Sequence, residues 1–231
     1  MHKIIVLGAG SVGTAIASDL SKKYDVTSVD KDPDTLNKLS HNIKIKTKLL
    51  DVTDETELSV NIKDFDLVIS AVPGFIGLKT VSNIINNKKN LVDVSFFAED
   101  AMFLDALAKE NGVTAAIDCG LAPGIPNYII GYYNEILNIK KINYFVGGLP
   151  FAETAPFGYK APFSPCDVIE EYTRPARFIE NGSMVVKPAL SEIEMLNFEK
   201  AGTLEAFNTD GLRTLIYTMK HIPNMKEKTL R

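Results

Sequence analysis

Six residues near the N-terminus, Gly8-Ala9-Gly10-Ser11-Val12-Gly13, have the types and spacing of a turn that cradles phosphate. The first glycine permits a tight bend, the second lets backbone approach a pyrophosphate, and the third lets a helix pack closely on a strand. The helix opened by such a turn offers free N–H groups and a partial positive charge to the phosphates. Alone the pattern is weak, but here it follows a β-branched run at residues 3–7, and a second strand ends in Asp30. That position is near the ~20-residue offset at which an acid meets the adenosine ribose. A carboxylate there accepts from the ribose hydroxyls and repels a 2′-phosphate, so the pairing predicts NAD over NADP. Lys31 beside it argues weakly the other way. Asp51 and Val52 follow the third strand, where an adenine edge would lie; a solvated turn is an equal reading of Asp51. Ala71, Val72 and Pro73 follow the fourth strand, and their backbone is expected near the pyrophosphate or the nicotinamide ribose.

Two more carboxylates, Asp93 and Asp118, end the fifth and sixth strand-like runs, at the edge where substrate would meet a nicotinamide. Either could hold an ammonium or relay its proton, or cap the next turn through an Asx-type bond. Cys119 reads as small core filler rather than a nucleophile. His2, His41 and His221 are expected in exposed or structural roles.

These residues need a scaffold, and the chain spells one out. Strands are expected at 3–7, 26–29, 43–50, 67–71, 91–94 and 113–117. Helices fall between them, one capped by Asp32 with Pro33 at its first position, one opened by Asp54 and Glu57, one running 77–87, and one at 99–111 stopped by Gly112. Strand–helix alternation over ~115 residues means right-handed crossovers and a doubly wound parallel sheet, an α/β Rossmann-type domain. Past Asp118 the pattern becomes α+β. A Gly/Pro joint precedes a helix near 127–137, a strand at 142–146, a loop from 147 to 166, a hairpin signal at Asn181-Gly182, strands at 183–190 and 204–207, and a helix at 211–220. Residues 1–120 are therefore expected to bind dinucleotide and 121–231 to bind substrate.

Composition excludes several classes. The 231 residues are 45% hydrophobic and 23% charged with a net charge of −4, so no basic stripe exists to neutralise nucleic-acid phosphates. No run approaches the ~20 apolar residues of a membrane span. Two cysteines and three histidines have no metal-ligand spacing. A cytoplasmic protein with a small-molecule substrate, and with no nucleic-acid, membrane or metal partner, is the expectation.

From residue 91 onward the chain resembles the saccharopine dehydrogenase superfamily. The resemblance rests on Leu91-Val92-Asp93-Val94-Ser95-Phe96-Phe97, Asp118-Cys119-Gly120-Leu121-Ala122-Pro123-Gly124, Gly147-Gly148-Leu149-Pro150, Gly158-Tyr159-Lys160, Glu170-Glu171-Tyr172-Thr173-Arg174, 204–211 and 226–231. Within it the chain looks most like the lysine 6-dehydrogenase branch, which implies NAD-dependent oxidation of a lysine side-chain amine to the semialdehyde with release of ammonia. Ala122 and Phe96 depart from the residues of the glutamate-forming reductases, and Asp30 stands where those carry a basic residue. The alternatives are a reductive condensation of the saccharopine or carboxynorspermidine type, and a non-catalytic nucleotide-binding fragment. The resemblance also implies a homodimer, and a chain truncated at its C-terminus, because members run further.

Amine oxidation by hydride loss needs a free lone pair, whereas a lysine ammonium has a pKa of ~10.4. Asp93 and Asp118 are the expected proton acceptors. Arg174 is the expected ligand of the substrate carboxylate, since a guanidinium grips carboxylates bidentately and the resembling reductases use an arginine at the matching place. A surface pair with Glu170 or Glu171 is the alternative. Tyr159 and Lys160 are expected to border the substrate.

Overall fold

The computed structural model describes residues 1–149 and 163–231. The chain divides into two compact units, Met1–Gly120 and Leu121–Arg231.

The first unit alternates strand and helix: β1 (Lys3–Leu7), α1 (Ser11–Leu20), β2 (Asp25–Asp30), α2 (Pro33–Asn42), β3 (Lys46–Leu49), α3 (Glu55–Ile62), β4 (Leu67–Ser70), α4 (Gly74–Asn86), β5 (Leu91–Asp93), α5 (Leu104–Asn111) and β6 (Ala115–Ala116). All six strands are parallel, in the order β3-β2-β1-β4-β5-β6. The chain leaves β1 in one direction for β2 and β3 and returns past it to β4, so the β1/β4 boundary is the switch point at which ligands of open α/β sheets bind. β1 is apolar from Ile4 to Leu7 because both of its faces are covered there, and Ile5, Val6 and Leu7 are 1% exposed or less. Ile5, Leu7, Leu58, Ile62, Val81, Ile84 and Leu91 form the main core, while Ile4, Val6, Ala17, Val26 and Ile69 fill the opposite face.

Helix ends follow their capping residues. Asp32 accepts from the Asp34 N–H at 3.0 Å with Pro33 in the first turn, and Asp54 accepts from the Glu57 N–H at 2.9 Å. Gly112 ends α5 in the left-handed conformation, φ 67°. Boundaries shift where the sequence pattern was coarse. The expected 99–111 helix is a 3-10 turn over Ala101–Phe103 followed by α5, and the strand expected at 43–50 narrows to an exposed edge strand.

The second unit contains α6 (Ile125–Asn134), β7 (Ile142–Val146), α7 (Pro165–Thr173), β8 (Ala176–Glu180), β9 (Ser183–Lys187), β10 (Glu194–Phe198), β11 (Gly202–Asn208), α8 (Leu215–Thr218) and β12 (Met225–Leu230). They build a mostly antiparallel sheet, β10-β11-β12-β8-β9, with β7 parallel to β12. The Asn181-Gly182 hairpin forms, both residues having positive φ (50° and 79°), as a type I′ turn requires. Three expectations need correction. The strand expected at 183–190 stops at Lys187 because Pro188 has no N–H for the ladder. The helix expected at 211–220 shrinks to α8, since Arg213 lies in a left-handed conformation at φ 42° and breaks it. The loop expected at 147–166 gives way at Pro165 to α7, with proline at its first position. β10 and β12 carry no apolar alternation and were not anticipated; β12 reads MKEKTL, yet Glu227 and Lys228 are buried in it. No described helix is long and apolar enough to cross a membrane.

Candidate functional site

The glycine turn between β1 and α1 is shaped by backbone contact. Gly8 has φ +98°, and a Cβ on it would lie 2.5 Å from the Ala71 carbonyl oxygen. A Cβ on Gly13 would lie 2.0 Å from the Gly8 carbonyl oxygen, so α1 sits against the turn as only glycine permits. Gly10 differs: nothing lies within 4 Å of its Cβ position. Its hydrogen faces open space where a ligand would approach the main chain. Gly10 is also the N-cap of α1, with no side-chain cap and no acidic residue in the first turn, so the Ser11 and Val12 end of the helix keeps its field for an anion. Thr14 Oγ1 ties back to the Ala9 carbonyl at 2.9 Å.

Asp30, at the end of β2, is bound into this turn. Its Oδ2 accepts from the Ala9 N–H at 2.8 Å and its Oδ1 from the Asp32 N–H at 3.0 Å. Sequence places the acid after the second strand; the structure adds that it braces the turn it serves. Lys31 is exposed and its charge reaches Asp51. Asp51 Oδ1 accepts from both the Thr53 hydroxyl (2.7 Å) and the Thr53 N–H (2.9 Å), which together lower its pKa. That is a local turn, with Val52 packed on the core. Ala71 is half-buried, Val72 is 6% exposed with its side chain in the core, and Pro73 caps α4, whose N-terminus, like that of α1, has no side-chain cap.

Asp93 and Asp118 come together at the carboxyl end of this sheet, 0% and 2% exposed. The Ser95 hydroxyl lies 2.8 and 2.9 Å from the two Asp93 oxygens, and the Cys119 N–H donates to the Asp93 carbonyl at 3.0 Å. Burial raises the Asp93 pKa to about 6; hydroxyls of Ser70 and Ser95 oppose the rise, and the Asp118 charge adds to it. Asp118 has φ 57°, so the chain turns sharply there and folds the carboxylate inward. Gly77 of α4 is part of this arrangement, since a Cβ on it would lie 2.5 Å from Ser95 Oγ. Cys119 is half-buried, with Sγ 3.6 Å from the Ile117 carbonyl oxygen.

In the second unit Arg174 ends α7 with its side chain 10% exposed, far from a surface residue, although it does pair with Glu170 at 3.2 Å. Burial lowers its pKa; Glu170 and Asp210 support its charge and Arg213 opposes it. Sequence reasoning gave Asp210 no role, named Glu171 only as an alternative surface partner of Arg174, and did not single out Arg177, Arg213 or Glu227. Asp210, 2% exposed, takes three bonds from Arg177: Nε at 2.9 Å, Nη2 at 2.7 Å and the main-chain N–H at 3.1 Å. Glu171 is pushed up to about 7, first by burial and then by Asp167, against the pull of Arg174. Their usable signal was that Arg174, Arg177, Asp210 and Arg213 are charges beside apolar residues that make core contacts. Tyr159 and Lys160 lie outside the described residues. His2, His41 and His221 are exposed. Among the described residues no group of three His, Cys, Asp or Glu could hold a metal ion.

A parallel sheet in this strand order, with a glycine turn after its first strand and an acid at the end of its second bonded to that turn, is a nucleotide-binding Rossmann fold. Residues 4–116 match the family model described as the saccharopine dehydrogenase NADP binding domain, and residues 120–231 match that of the saccharopine dehydrogenase C-terminal domain. The chain belongs to the saccharopine dehydrogenase superfamily. It is 30% identical over 190 residues to saccharopine dehydrogenase [NADP(+), L-glutamate-forming] of Pyricularia oryzae, a match covering 78% of this chain and 42% of the relative. It is 29% identical over 143 residues to α-aminoadipic semialdehyde synthase of Arabidopsis thaliana, covering 59% of this chain and 13% of that one. Apo saccharopine dehydrogenase (L-Glu forming) from Saccharomyces cerevisiae superposes over 100% of this chain and 55% of its own, with a TM-score of 0.77 at 23% identity, which shows the shared fold. The chain thus spans less than half the length of the curated relatives it matches. The domain description and the Pyricularia relative both carry NADP in their names, against the NAD expected from Asp30.

Proposed function

We propose that this chain is part of an NAD(P)-dependent oxidoreductase acting on a C–N bond of lysine or a lysine-derived amino acid, with residues 1–120 binding dinucleotide and 121–231 binding substrate. The observation that carries the reading is the Asp30 carboxylate bonded to the Ala9 N–H of the glycine turn. A ligand whose pyrophosphate lies on Gly10–Gly13 brings its ribose to Asp30, and a 2′-phosphate there would meet a fixed negative charge. This supports NAD, and with it oxidation of the lysine side-chain amine.

The bound nicotinamide would supply the hydride acceptor. Asp93 and Asp118 do what the chain itself must do, which is to take a proton from the substrate ammonium. A carboxylate raised to about 6 is a stronger base than an ordinary aspartate and still ionised at neutral pH. Water then adds to the imine and ammonia leaves. Arg174 is the ligand of the substrate carboxylate. The edge strands β9 and β10 support a homodimer.

The relatives' names favour a second reading, reductive condensation of a semialdehyde with glutamate using NADPH. Calorimetry and steady-state assays separate the two. The first reading expects NAD to bind about tenfold or more tighter than NADP, Asp30→Ala to cancel that preference, and lysine with NAD to release ammonia. NADPH-dependent consumption of glutamate with no ammonia from lysine would replace it with the second. If neither coenzyme binds, both readings fall.

A further inference from the structure

Glu227 is a carboxylic acid buried in a charged strand, 1% exposed, and one of its oxygens does two jobs. Oε2 accepts from the Thr209 hydroxyl at 2.6 Å and from the Gly211 N–H at 3.1 Å. Gly211 approaches so closely that a Cβ on it would lie 2.6 Å from the carboxyl group. The other main-chain polar group of the same residue is held as well. Tyr144, paired with Glu227 across the β7–β12 ladder, donates its hydroxyl to the Gly211 carbonyl at 2.8 Å. Thr209 is further tied to Thr229 at 2.8 Å. The turn from Thr209 to Gly211 is thus clamped at both ends, and the residue at its centre is Asp210. That carboxylate takes the whole Arg177 fork and acts on the charge of Arg174.

We propose that Glu227 is a positioning residue of the substrate-carboxylate site, fixing Asp210 through the Thr209–Gly211 turn and, through Asp210, the guanidinium groups of Arg177 and Arg174. This rests on the reading of Arg174 as the carboxylate ligand. The groups that face Glu227 are Glu171 from α7 and Asp210 from the turn, while Lys228 is engaged elsewhere with Glu194 and the Glu192 carbonyl. Burial, reinforced by those two acids, holds Glu227 up to about 8, so at neutral pH the clamp keeps its proton. It therefore grips the turn without adding a negative charge beside the substrate carboxylate. The job needs an acceptor oxygen rather than a charge, so glutamine should do it and alanine should not.

The test uses the 231-residue chain, with exchange of the Arg177 Nε–H followed by NMR and the binding of L-lysine and NADH by calorimetry. Glu227→Ala is expected to speed Arg177 Nε–H exchange and to weaken L-lysine, each by about tenfold, with NADH affinity unchanged. Glu227→Gln should restore both to within about twofold. If Glu227→Ala does not fold, Thr209→Val carries the test, with a loss of about threefold expected in each readout. Wild-type exchange and wild-type L-lysine affinity in the folded alanine variant, or in Thr209→Val, would overturn the proposal. Exchange that responds in a protein that binds no L-lysine would instead sink the reading of Arg174. L-lysine binding with Arg177 exchange unmoved would sink the role of Glu227 alone.

Discussion

The two units build their candidate sites from opposite materials. In the first, the candidate surface is main chain: N–H groups at two helix ends without side-chain caps, with open space over Gly10 and one aspartate bracing the turn. In the second, it is side chains. Arg174, Arg177, Asp210, Arg213 and Glu227 are brought from α7, β8, the 209–213 turn and β12 into one buried polar cluster. A site made of backbone is fixed by where glycines stand, and one made of side chains is fixed by charge pairing in a poorly solvated place.

The sharpest way to break this contrast is at the glycines. Gly13→Val must place a Cβ 2.0 Å from a backbone oxygen that cannot swing aside, so a loss of more than about 3 kcal/mol is expected. Gly10→Ala meets nothing, and the melting temperature should stay where it is while dinucleotide affinity falls about tenfold. Thermal melts and NAD titrations of the pair read both numbers. Equal destabilisation by the two substitutions would show that the turn is ordinary packing and no cradle.

Next in size is Asp210→Ala. It takes from the guanidinium of Arg177, 19% exposed, the acid that receives its fork, and from Arg174 an acid that supports its charge. Removing one partner of a buried pair costs about 3 kcal/mol, because Arg177 gives up three hydrogen bonds in a poorly solvated place. Denaturant unfolding checks this. A loss under about 0.5 kcal/mol would mean that the pair behaves as an exposed one and that the cluster is not a desolvated site.

The same contrast explains what the sequence disclosed. The Rossmann unit was legible almost strand by strand, because the central strands β1, β4 and β5 are short apolar runs and because the glycine spacing and Asp30 are local in sequence. Asp93 and Asp118 were legible as strand-end acids, but the Ser95 hydroxyl on Asp93 and the inward turn of Asp118 at φ 57° were not. In the second unit the Asn181-Gly182 hairpin was plain, since its turn chemistry is contained in two residues. β12 was invisible. Its charges look like those of a solvated tail, and only the turn at 209–211 and Tyr144, far away in sequence, make Glu227 a core residue. Local rules found what local residues decide.

The last prediction concerns the charge state of that core and has the smallest expected effect. Glu227, Glu171 and Asp93 are all raised, to about 8, about 7 and about 6, mainly by burial. An acid with a raised pKa stabilises fully below its unfolded value, where both states hold the proton. As pH climbs, the unfolded chain ionises first, and stability falls until the folded group ionises too. For Glu227 that window runs from its ordinary 4.5 to about 8. The wild-type melting temperature should therefore decline across this range. In Glu227→Gln, which has no proton to lose, the decline should be shallower, leaving the variant about 2 kcal/mol better off relative to wild type at pH 8 than at pH 5. Asp93→Asn should flatten only the lower part of the curve, near 4 to 6, and act through the first unit alone. Two parallel wild-type and Glu227→Gln curves would mean that this carboxyl is ionised throughout. The clamp would then hold a charge against Glu171 and Asp210, and the side-chain-built site would owe its geometry to repulsion balanced by arginine rather than to a neutral hydrogen-bonded acid.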